Sequence, residues 1–170
     1  MPRIQSFLLL AATAASIALV APMQQQAHAA THRAAATDVQ AERALVSAMN
    51  IARVRHGRAP LRRLDVLARP ARAHSHDLLL RGAFTHAGAA GSPFWTRLVA
   101  AGFPRGRRMA ENIAEAPGCG VAAARRTVRM WMASPPHRAN LLDRRMRFVG
   151  TGAAHAAGCA STILTADIGS

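Results

Sequence analysis

The stretch Trp131-Met132-Ala133-Ser134-Pro135-Pro136-His137-Arg138-Ala139-Asn140-Leu141-Leu142 places a helix end beside a double proline and a histidine. The residues leading into it predict an amphipathic helix, because apolar side chains share one face and arginines occupy the opposite face. The apolar face holds Val121, Ala124, Val128, Trp131 and Met132, and the polar face holds Arg125, Arg126 and Arg129. The double proline is predicted to terminate this helix, and Trp131 is assigned to the core before any ligand.

Three further helices are predicted upstream of this stretch. The first begins near Asp38, a candidate N-cap, and stops at Gly57. The second covers 66–81 and stops at Gly82, and the third begins with Ser92-Pro93 as N-cap and first residue and ends at Gly102. The inner line of the second helix is Leu67, Ala71, Ser75 and Leu78.

The hydrophobic period changes after the fourth helix. Segments 147–154 and 160–168 are short and rich in β-branched residues and glycines, and they predict two strands, with 109–114 as a candidate third. Gly150, Gly152 and Gly158 suggest bulges or close backbone approach. Helices first and paired strands last predict an α+β layered domain rather than a doubly wound sheet.

The N-terminal segment has the features of a secretory signal peptide. Met1-Pro2-Arg3 supplies a positive charge, an apolar run extends from Phe7 to Val20, and Ala27-His28-Ala29 fits the small-x-small pattern before a signal-peptidase cut. The run is shorter than the roughly 20 residues that a membrane span needs, with an uncleaved anchor as the alternative. We therefore expect a signal peptide over 1–29, a flexible leader over 30–37 and one exported domain over 38–170, extracellular or periplasmic.

Cysteine usage agrees with export. The sequence has two cysteines, Cys119 and Cys159. An even pair in an exported protein favours one disulfide, and two free buried thiols are the alternative. Neither cysteine lies in a C-x-x-C pair, so we do not expect them to bind a metal.

The charge of the chain is strongly basic. The formal net charge is +14 and all 22 basic residues are arginines, spread along the whole chain rather than clustered. The sequence also has seven Phe and Trp residues and no Tyr, which leaves few platforms for stacking bases. We therefore expect no specific nucleic-acid partner, and favour adhesion to an anionic cell envelope.

Five phrases occur in a recognisable order and spacing. They are Asn50-x-x-Arg53-x-x-x-Gly57, Ala83-Phe84-Thr85-His86, Glu111-Asn112-Ile113-Ala114, the stretch 131–142, and Phe148-Val149-Gly150-Thr151-Gly152. Together they resemble the bacterial branch of the CAP superfamily, which also contains cysteine-rich secretory proteins, insect venom antigen-5 proteins and plant pathogenesis-related proteins. The resemblance covers about 39–169 and implies an α/β/α sandwich with a three-stranded antiparallel sheet between helical layers.

The resemblance also implies a surface cleft lined by two histidines and two acidic residues. Transferred position by position, His86 and Glu111 match the first cleft histidine and the first glutamate, and His137 provides the second histidine. The second acid of eukaryotic relatives falls at Ser134, so this cleft is expected to contain a triad with Ser134 beside it.

The chemistry of such a triad permits more than one role. A glutamate beside two imidazoles has its charged form favoured and raises the affinity of the histidines for protons. The same two nitrogens and one oxygen could hold a divalent metal such as zinc, with a position left open for water. A hydrogen-bonded structural cluster is the alternative, because buried polar groups normally find partners.

Other polar residues are given structural interpretations. His74 and His76 are two positions apart on a helix and do not face each other, so we place them at the surface or an edge. His56 and His155 have no partner that the sequence identifies. Asn112 and Asn140 are expected to hold loops through backbone hydrogen bonds.

Two functions follow from these residues. The first is a non-enzymatic module whose cleft binds a lipid, glycan or peptide of the cell envelope, with the chain expected to be a monomer. The second is a metal-assisted hydrolase of peptide or cell-wall material, with Glu111 as general base and the histidines as ligands. Ser134 near His137 does not predict a serine hydrolase, because no G-x-S-x-G elbow surrounds it.

Overall fold

The computed structural model describes residues 38–88, 90–155 and 157–170, so the predicted signal peptide and leader lie outside the described residues. The helices of this part are α1 (Val39–Arg55), α2 (Asp65–Arg81), α3 (Phe94–Ala100), α4 (Gly120–Ala133) and α5 (Pro135–Leu142). The strands are β1 (Arg62–Arg63), β2 (Met109–Pro117), β3 (Phe148–His155) and β4 (Ser161–Gly169). Among the described helices, none is long and apolar enough to cross a membrane.

The four strands form one sheet in the order β1-β3-β4-β2. β2, β4 and β3 pair antiparallel, which confirms the expected three-stranded antiparallel sheet. The two-residue strand β1 adds to β3 in parallel, a pairing too short for the sequence pattern to predict. β2 lies at the far side of the sheet, so one edge of this strand has no strand neighbour within the described residues.

Helices cover both faces of this sheet. One face packs against α1, α4 and α5 around a large apolar core, and the other packs against α2 and α3. Side chains along a strand alternate between faces, so Glu111, Ile113 and their neighbours two apart face α2 and α3. The predicted α/β/α layers and the α+β class are confirmed.

The contact between α2 and β3 depends on two glycines. A Cβ at Gly150 would lie 2.0 Å from the backbone of Leu67, and one at Gly152 would lie 2.2 Å from the carbonyl oxygen of Ala71. The helix therefore rests directly on the strand, as the predicted close backbone approach requires. Gly158 differs, because it has a φ of 70° and open space around it, and so serves a turn.

Two residues of the first sequence phrase connect α1 to other parts of the fold. The fully buried guanidinium of Arg53 donates to the carbonyl oxygens of Leu141, at 2.6 Å, and Met146, at 3.3 Å. The Asn50 amide both donates to and accepts from the backbone of Leu61. These bonds join α1 to α5 and to the connector before β1, because buried carbonyl groups need donors.

Several local expectations are corrected. Pro135-Pro136 does end α4, but it also begins α5, since proline is well placed at the first position of a helix, where no N–H partner is needed. Asp38 occupies the N-cap position of α1 without a side-chain capping bond, and its carboxylate lies 3.5 Å from Nε2 of His155. The third helix starts one residue later than predicted, with Pro93 as its N-cap.

Cys119 and Cys159 form a disulfide, with their Cα atoms 5.3 Å apart. The bond joins the residue before α4 to the 3₁₀ turn between β3 and β4. It therefore connects the helix whose end carries Ser134 to the central strand pair.

Candidate functional site

The candidate site is centred on Glu111, the third residue of the edge strand β2. Its side chain is 1% exposed, and both of its carboxylate oxygens are engaged. Oε1 accepts a 2.7 Å hydrogen bond from Nδ1 of His86, and Oε2 accepts a charge-assisted hydrogen bond from the guanidinium of Arg97. Glu111 is thus a buried anion that two donors hold in place.

His86 connects this buried carboxylate to solvent. It lies in the segment between α2 and α3, its side chain is 52% exposed, and its carbonyl oxygen accepts a 3.0 Å bond from Arg97. Because Nδ1 donates to the carboxylate, the neutral ring presents an unprotonated Nε2. Burial and then the Arg97 charge lower the pKa of His86, while the Asp167 carboxylate acts in the opposite direction.

His137 reaches the site from the other side of the sheet, on α5. Its Nδ1 lies 2.8 Å from Oγ of Ser134, and its carbonyl oxygen accepts a 3.0 Å bond from the Asn112 amide. Burial and then the neighbouring His86 lower the pKa of His137. The two imidazoles are therefore electrostatically coupled and approach the β2 edge from opposite faces, each anchored through Nδ1.

The asparagines next to the cluster hold its backbone, as expected. Asn140 donates from Nδ2 to Oδ1 of Asn112 at 3.0 Å and to the carbonyl oxygen of Glu111 at 3.4 Å. Trp131 is 1% exposed and donates from Nε1 to the carbonyl oxygen of Ile113. These side chains satisfy backbone groups along the free edge of β2, which would otherwise lack partners.

The structure adds a second acid that the sequence did not predict. Asp167 on β4 pairs with Glu111 in the strand register, so the two carboxylates are neighbours on the same face. Asp167 is fully buried, and neither of its oxygens has a hydrogen-bond partner among the described residues. Burial raises the pKa of Asp167 to about 7, against the opposing effect of Arg97 and His86.

His74 belongs to the same buried cluster, and its predicted surface position is wrong. The residue is 2% exposed, Nε2 donates to the Thr85 carbonyl at 3.0 Å, and the same atom lies 4.0 Å from Oε2 of Glu111. Burial, followed by the charge of Arg97, lowers the pKa of His74 to about 4, so this ring is neutral at pH 7.

The sequence analysis did not assign His74, Asp167 or Arg97 to the site, and the sequence features that could have identified them differ in strength. His74 lies three residues after Ala71 and four before Leu78, both on the buried line of α2, so helical periodicity could have placed it inside. Asp167 stands in an apolar strand, and only the register with β2 reveals its neighbour. Arg97 lies on a short helix whose sequence carries no signal for the contact.

An apolar groove runs along the free edge of β2. Its volume is about 520 Å³, and its walls include two well-exposed apolar side chains, Phe84 and Met130. His137 and Ser134 line the same groove, and His86 follows Phe84 by two residues. The remaining lining residues are Ile113, Ala114, Glu115 and Trp131. The arrangement places hydrogen-bonding imidazoles beside an apolar surface.

The contacts of Glu111 leave little room for a zinc ion at this site. If His86, Glu111 and His137 were the zinc ligands, a carboxylate oxygen of Glu111 would have to be free to bind the metal. Both oxygens instead accept hydrogen bonds, Oε1 from His86 and Oε2 from Arg97. Across the described ranges, no three His, Cys, Asp or Glu side chains are grouped to hold a metal ion. The present arrangement does not fit zinc, and zinc binding by His86, Glu111 and His137 stays a prediction.

Comparison with solved structures supports the fold. An outer surface protein of Borrelia burgdorferi matches with a TM-score of 0.66 and 18% identity, over 77% of this chain and 92% of that one. An extracellular SCP-domain protein of Bacillus anthracis str. Ames matches at 0.61 and 23%, over 86% of this chain and 42% of that one. A cysteine-rich secretory protein of Staphylococcus aureus subsp. aureus Mu50 matches at 0.60 and 17%, over 78% and 39%.

The chain thus spans less than half the length of the last two proteins and nearly all of the first. No curated protein sequence matches the chain significantly. The profile of the family described as "CAP: Cysteine-rich secretory protein family" matches residues 46–167, which include every residue of the candidate site. This chain therefore belongs to the CAP, or cysteine-rich secretory protein, family.

Proposed function

We propose that this protein is an exported binding module whose cleft, at the free edge of β2, holds an amphipathic component of the cell envelope. The observation that carries the proposal is the pair of anchored imidazoles beside an apolar groove. His137 lines the groove. His86 follows Phe84 by two residues and is close enough to His137 to lower the pKa of His137. A polar head group would bind at the imidazoles and an apolar portion along Phe84 and Met130.

The protonation state of the site supports an uncharged or weakly polar head group. The pKa values of His86 and His137 are both lowered, chiefly by burial, so both rings are neutral at pH 7. Neutral imidazoles exchange hydrogen bonds with hydroxyl, amide or ester groups without requiring a counter-charge. A lipid, a glycan-linked lipid or a peptide with apolar side chains meets this description.

Export is part of the same proposal. The predicted signal peptide, the disulfide, and the resemblance in fold to proteins described as outer-surface, extracellular and secretory all favour it. The segment that would direct export lies outside the described residues.

The test uses the exposed apolar walls of the groove, because their truncation leaves the core intact. Purified protein would be incubated with an envelope lipid extract, an envelope glycan fraction and a peptide digest, and retained molecules would be quantified by mass spectrometry. We expect Phe84→Ala to reduce retention about tenfold, the value of burying one aromatic side chain. Leu80→Ala is the matched control, since Leu80 is 52% exposed and does not line the groove. Equal retention by Phe84→Ala and the parent protein would refute the proposal.

A metal-assisted hydrolase is the second candidate that the sequence raised. Glu111 would act there as a general base, which requires a free oxygen, but Arg97 and His86 hold both oxygens in the present arrangement. The zinc content of purified protein separates the two functions. About one zinc per chain, lost in both His86→Ala and His137→Ala, would favour the hydrolase over the binding module.

A further inference from the structure

A second groove lies at the start of β2, away from the apolar groove along the edge of that strand. Its volume is about 370 Å³, and we call it the Trp95 groove. The residues lining it are Phe94, Trp95, Val99, Arg105, Gly106, Arg107 and Met109. None of these residues belongs to the candidate site centred on Glu111.

The apolar part of the Trp95 groove is fixed to the core. Phe94 and Met109 pack against a buried cluster that contains Leu98 and Phe103, so the floor continues the core between α2, α3 and the sheet. Trp95 itself remains 41% exposed on α3. A large aromatic ring is thus exposed on a helix whose residues Phe94 and Leu98 pack into the core.

The polar part of the Trp95 groove is cationic. Arg105 and Arg107 are exposed and flank Gly106 in the turn before β2. None of the described residues lining the groove is acidic, and the eight acidic residues of the chain all lie elsewhere. The next arginine, Arg108, lies 3.8 Å from Asp143 and is partly neutralised there. The positive charge of Arg105 and Arg107 therefore complements an anionic partner.

The hydrogen-bonding groups of the groove indicate which class of anionic partner fits it. Every polar side chain lining it, from the two arginines to the indole N–H of Trp95, can donate but cannot accept. A glycan hydroxyl both donates and accepts, so these side chains match only its accepting capacity. Phosphate oxygens only accept, and the glycerol and acyl region below a phosphate suits the apolar floor. Tryptophan and arginine are also the residues that favour the membrane interface.

We propose that the Trp95 groove docks the protein on an anionic phospholipid surface, with Arg105 and Arg107 at the phosphates and the Trp95 indole at head-group depth. This surface is separate from the cleft in the proposed function. Docking through α3 and the turn before β2 would hold the cleft close to the lipid without occupying it.

The difference in exposure between the two tryptophans allows the proposal to be tested by fluorescence. Trp131 is 1% exposed and Trp95 is 41% exposed, so a change in tryptophan emission on binding reports on Trp95. The probes are vesicles of phosphatidylcholine alone and of phosphatidylcholine with about one-third phosphatidylglycerol. We expect a blue shift, and quenching by brominated lipid, with the anionic vesicles and not with the neutral ones. Trp95→Phe should abolish both signals.

Matched arginine variants locate the docking surface. Because each arginine near an anionic surface is worth about fivefold in partitioning, Arg105→Ala/Arg107→Ala should weaken vesicle binding about 25-fold. Arg125→Ala/Arg129→Ala removes the same charge from α4, in the helical layer on the opposite face of the sheet, and should change binding less than about threefold. Every variant carries the same N-terminal segment, so any contribution of that segment cancels.

Three results would overturn the proposal. The first is an unchanged Trp95 emission on anionic vesicles, and the second is an equal loss of binding by both arginine pairs, which would indicate general charge attraction. The third is an equal emission shift with a soluble acidic polysaccharide such as polygalacturonate, which would assign the groove to glycans. The emission of Trp95 and its quenching report on the Trp95 groove, whereas the loss of retention in Phe84→Ala reports on the cleft, so failure of the cleft proposal and failure of this one are distinguishable.

Discussion

At the residue scale, the cluster around Glu111 depends on one shared cation. Arg97 donates to Glu111, and its Nε is buried without a hydrogen-bond partner among the described residues. Asp167, whose oxygens also lack partners there, is close enough for its pKa to respond to Arg97. One guanidinium therefore stabilises two buried acids to different extents. Glu111 accepts a hydrogen bond from it directly, whereas Asp167 accepts none and has a raised pKa.

Loss of the Glu111 charge should destabilise the fold more than loss of an exposed carboxylate. Glu111→Gln removes the anion that the partly buried Arg97 contacts directly, and we expect it to lower the free energy of unfolding by about 3 kcal/mol. Asp77→Asn breaks the exposed pair with Arg81 on α2 and should cost less than about 1 kcal/mol. Urea denaturation at pH 7 measures both. Similar losses in the two variants would contradict the assignment of Glu111 to a buried ion pair.

Asp167 should make stability fall as the pH rises. Its pKa is about 7 in the folded protein against 3.8 in the ordinary case, so between these values the folded state binds more protons than the unfolded state. The contribution of Asp167 to stability is therefore full below about pH 4 and is lost as the pH rises to about 7.

His74 acts in the opposite direction over part of this range. Its pKa is lowered from 6.5 to about 4, so the unfolded state binds the extra proton and stability rises with pH between these values.

The difference in Tm between Asp167→Asn and the parent protein isolates the contribution of Asp167, because His74 is present in both. We expect this difference to grow in favour of the variant from pH 4 to pH 7, measured by thermal denaturation, whereas a pH-independent difference would refute the raised pKa.

At the element scale, the contact between α2 and β3 decides which polar side chains meet. α2 carries His74 on its buried line, and the glycines of β3 let this helix rest on the strand backbone. The hydroxyl of Ser75, next to His74, donates to that of Thr165 on β4 at 2.8 Å. This contact fixes the rotation of α2, and so places His74 beside Glu111.

Gly150→Ala should disrupt this contact. The new Cβ would meet the Leu67 backbone at 2.0 Å, which cannot be relieved by moving a side chain, and we expect a loss of about 3 kcal/mol or more. Gly57→Ala is the comparison, because it meets nothing within 4 Å but has a φ of 66°, and should cost about 1–2 kcal/mol. Chemical denaturation and the His74 ring shifts in NMR spectra measure the two effects. Unmoved His74 shifts in Gly150→Ala would contradict the packing role.

Element prediction from the sequence succeeded where the hydrophobic period was strong. The inner residues predicted for α2, including Leu67 and Leu78, are buried, and three of the strands lie where they were expected. The errors occur where one residue type serves two purposes. Pro135-Pro136 both ends one helix and begins the next, and the Asp38 carboxylate lies next to His155 instead of capping α1.

At the scale of the whole molecule, the disulfide and the charge distribution stand out. Cys119 and Cys159 are separated by 40 positions in sequence and connect α4 to the β3–β4 turn. The chain has 22 basic and 8 acidic residues, and in the described part of the chain most arginines form no ion pair with a carboxylate. Repulsion among these positive charges destabilises the compact folded state. The disulfide opposes this effect because it restricts the unfolded chain.

Removal of the disulfide should lower stability substantially. In the chain-entropy treatment, a closed loop of this length contributes about 4 kcal/mol, so Cys119→Ala/Cys159→Ala should lose roughly that much. Urea denaturation of the variant, compared with the parent protein with and without reductant, measures the effect. Reduced parent protein should match the variant, and a variant as stable as the oxidised parent would show that the bond constrains little.

Hydrophobic period, turn residues and ordered phrases are local signals, and they predicted four of the five described helices and three of the four described strands. The same signals gave the family resemblance, a favoured disulfide, and His86, Glu111 and His137 as candidates. The contacts that hold Glu111 exist only in the folded arrangement, since Arg97, His74 and Asp167 come from three other elements. Strand register sets one carboxylate opposite the other, and helix packing brings the guanidinium and the imidazole onto them. Such contacts depend on distances between distant segments, which composition and spacing do not encode.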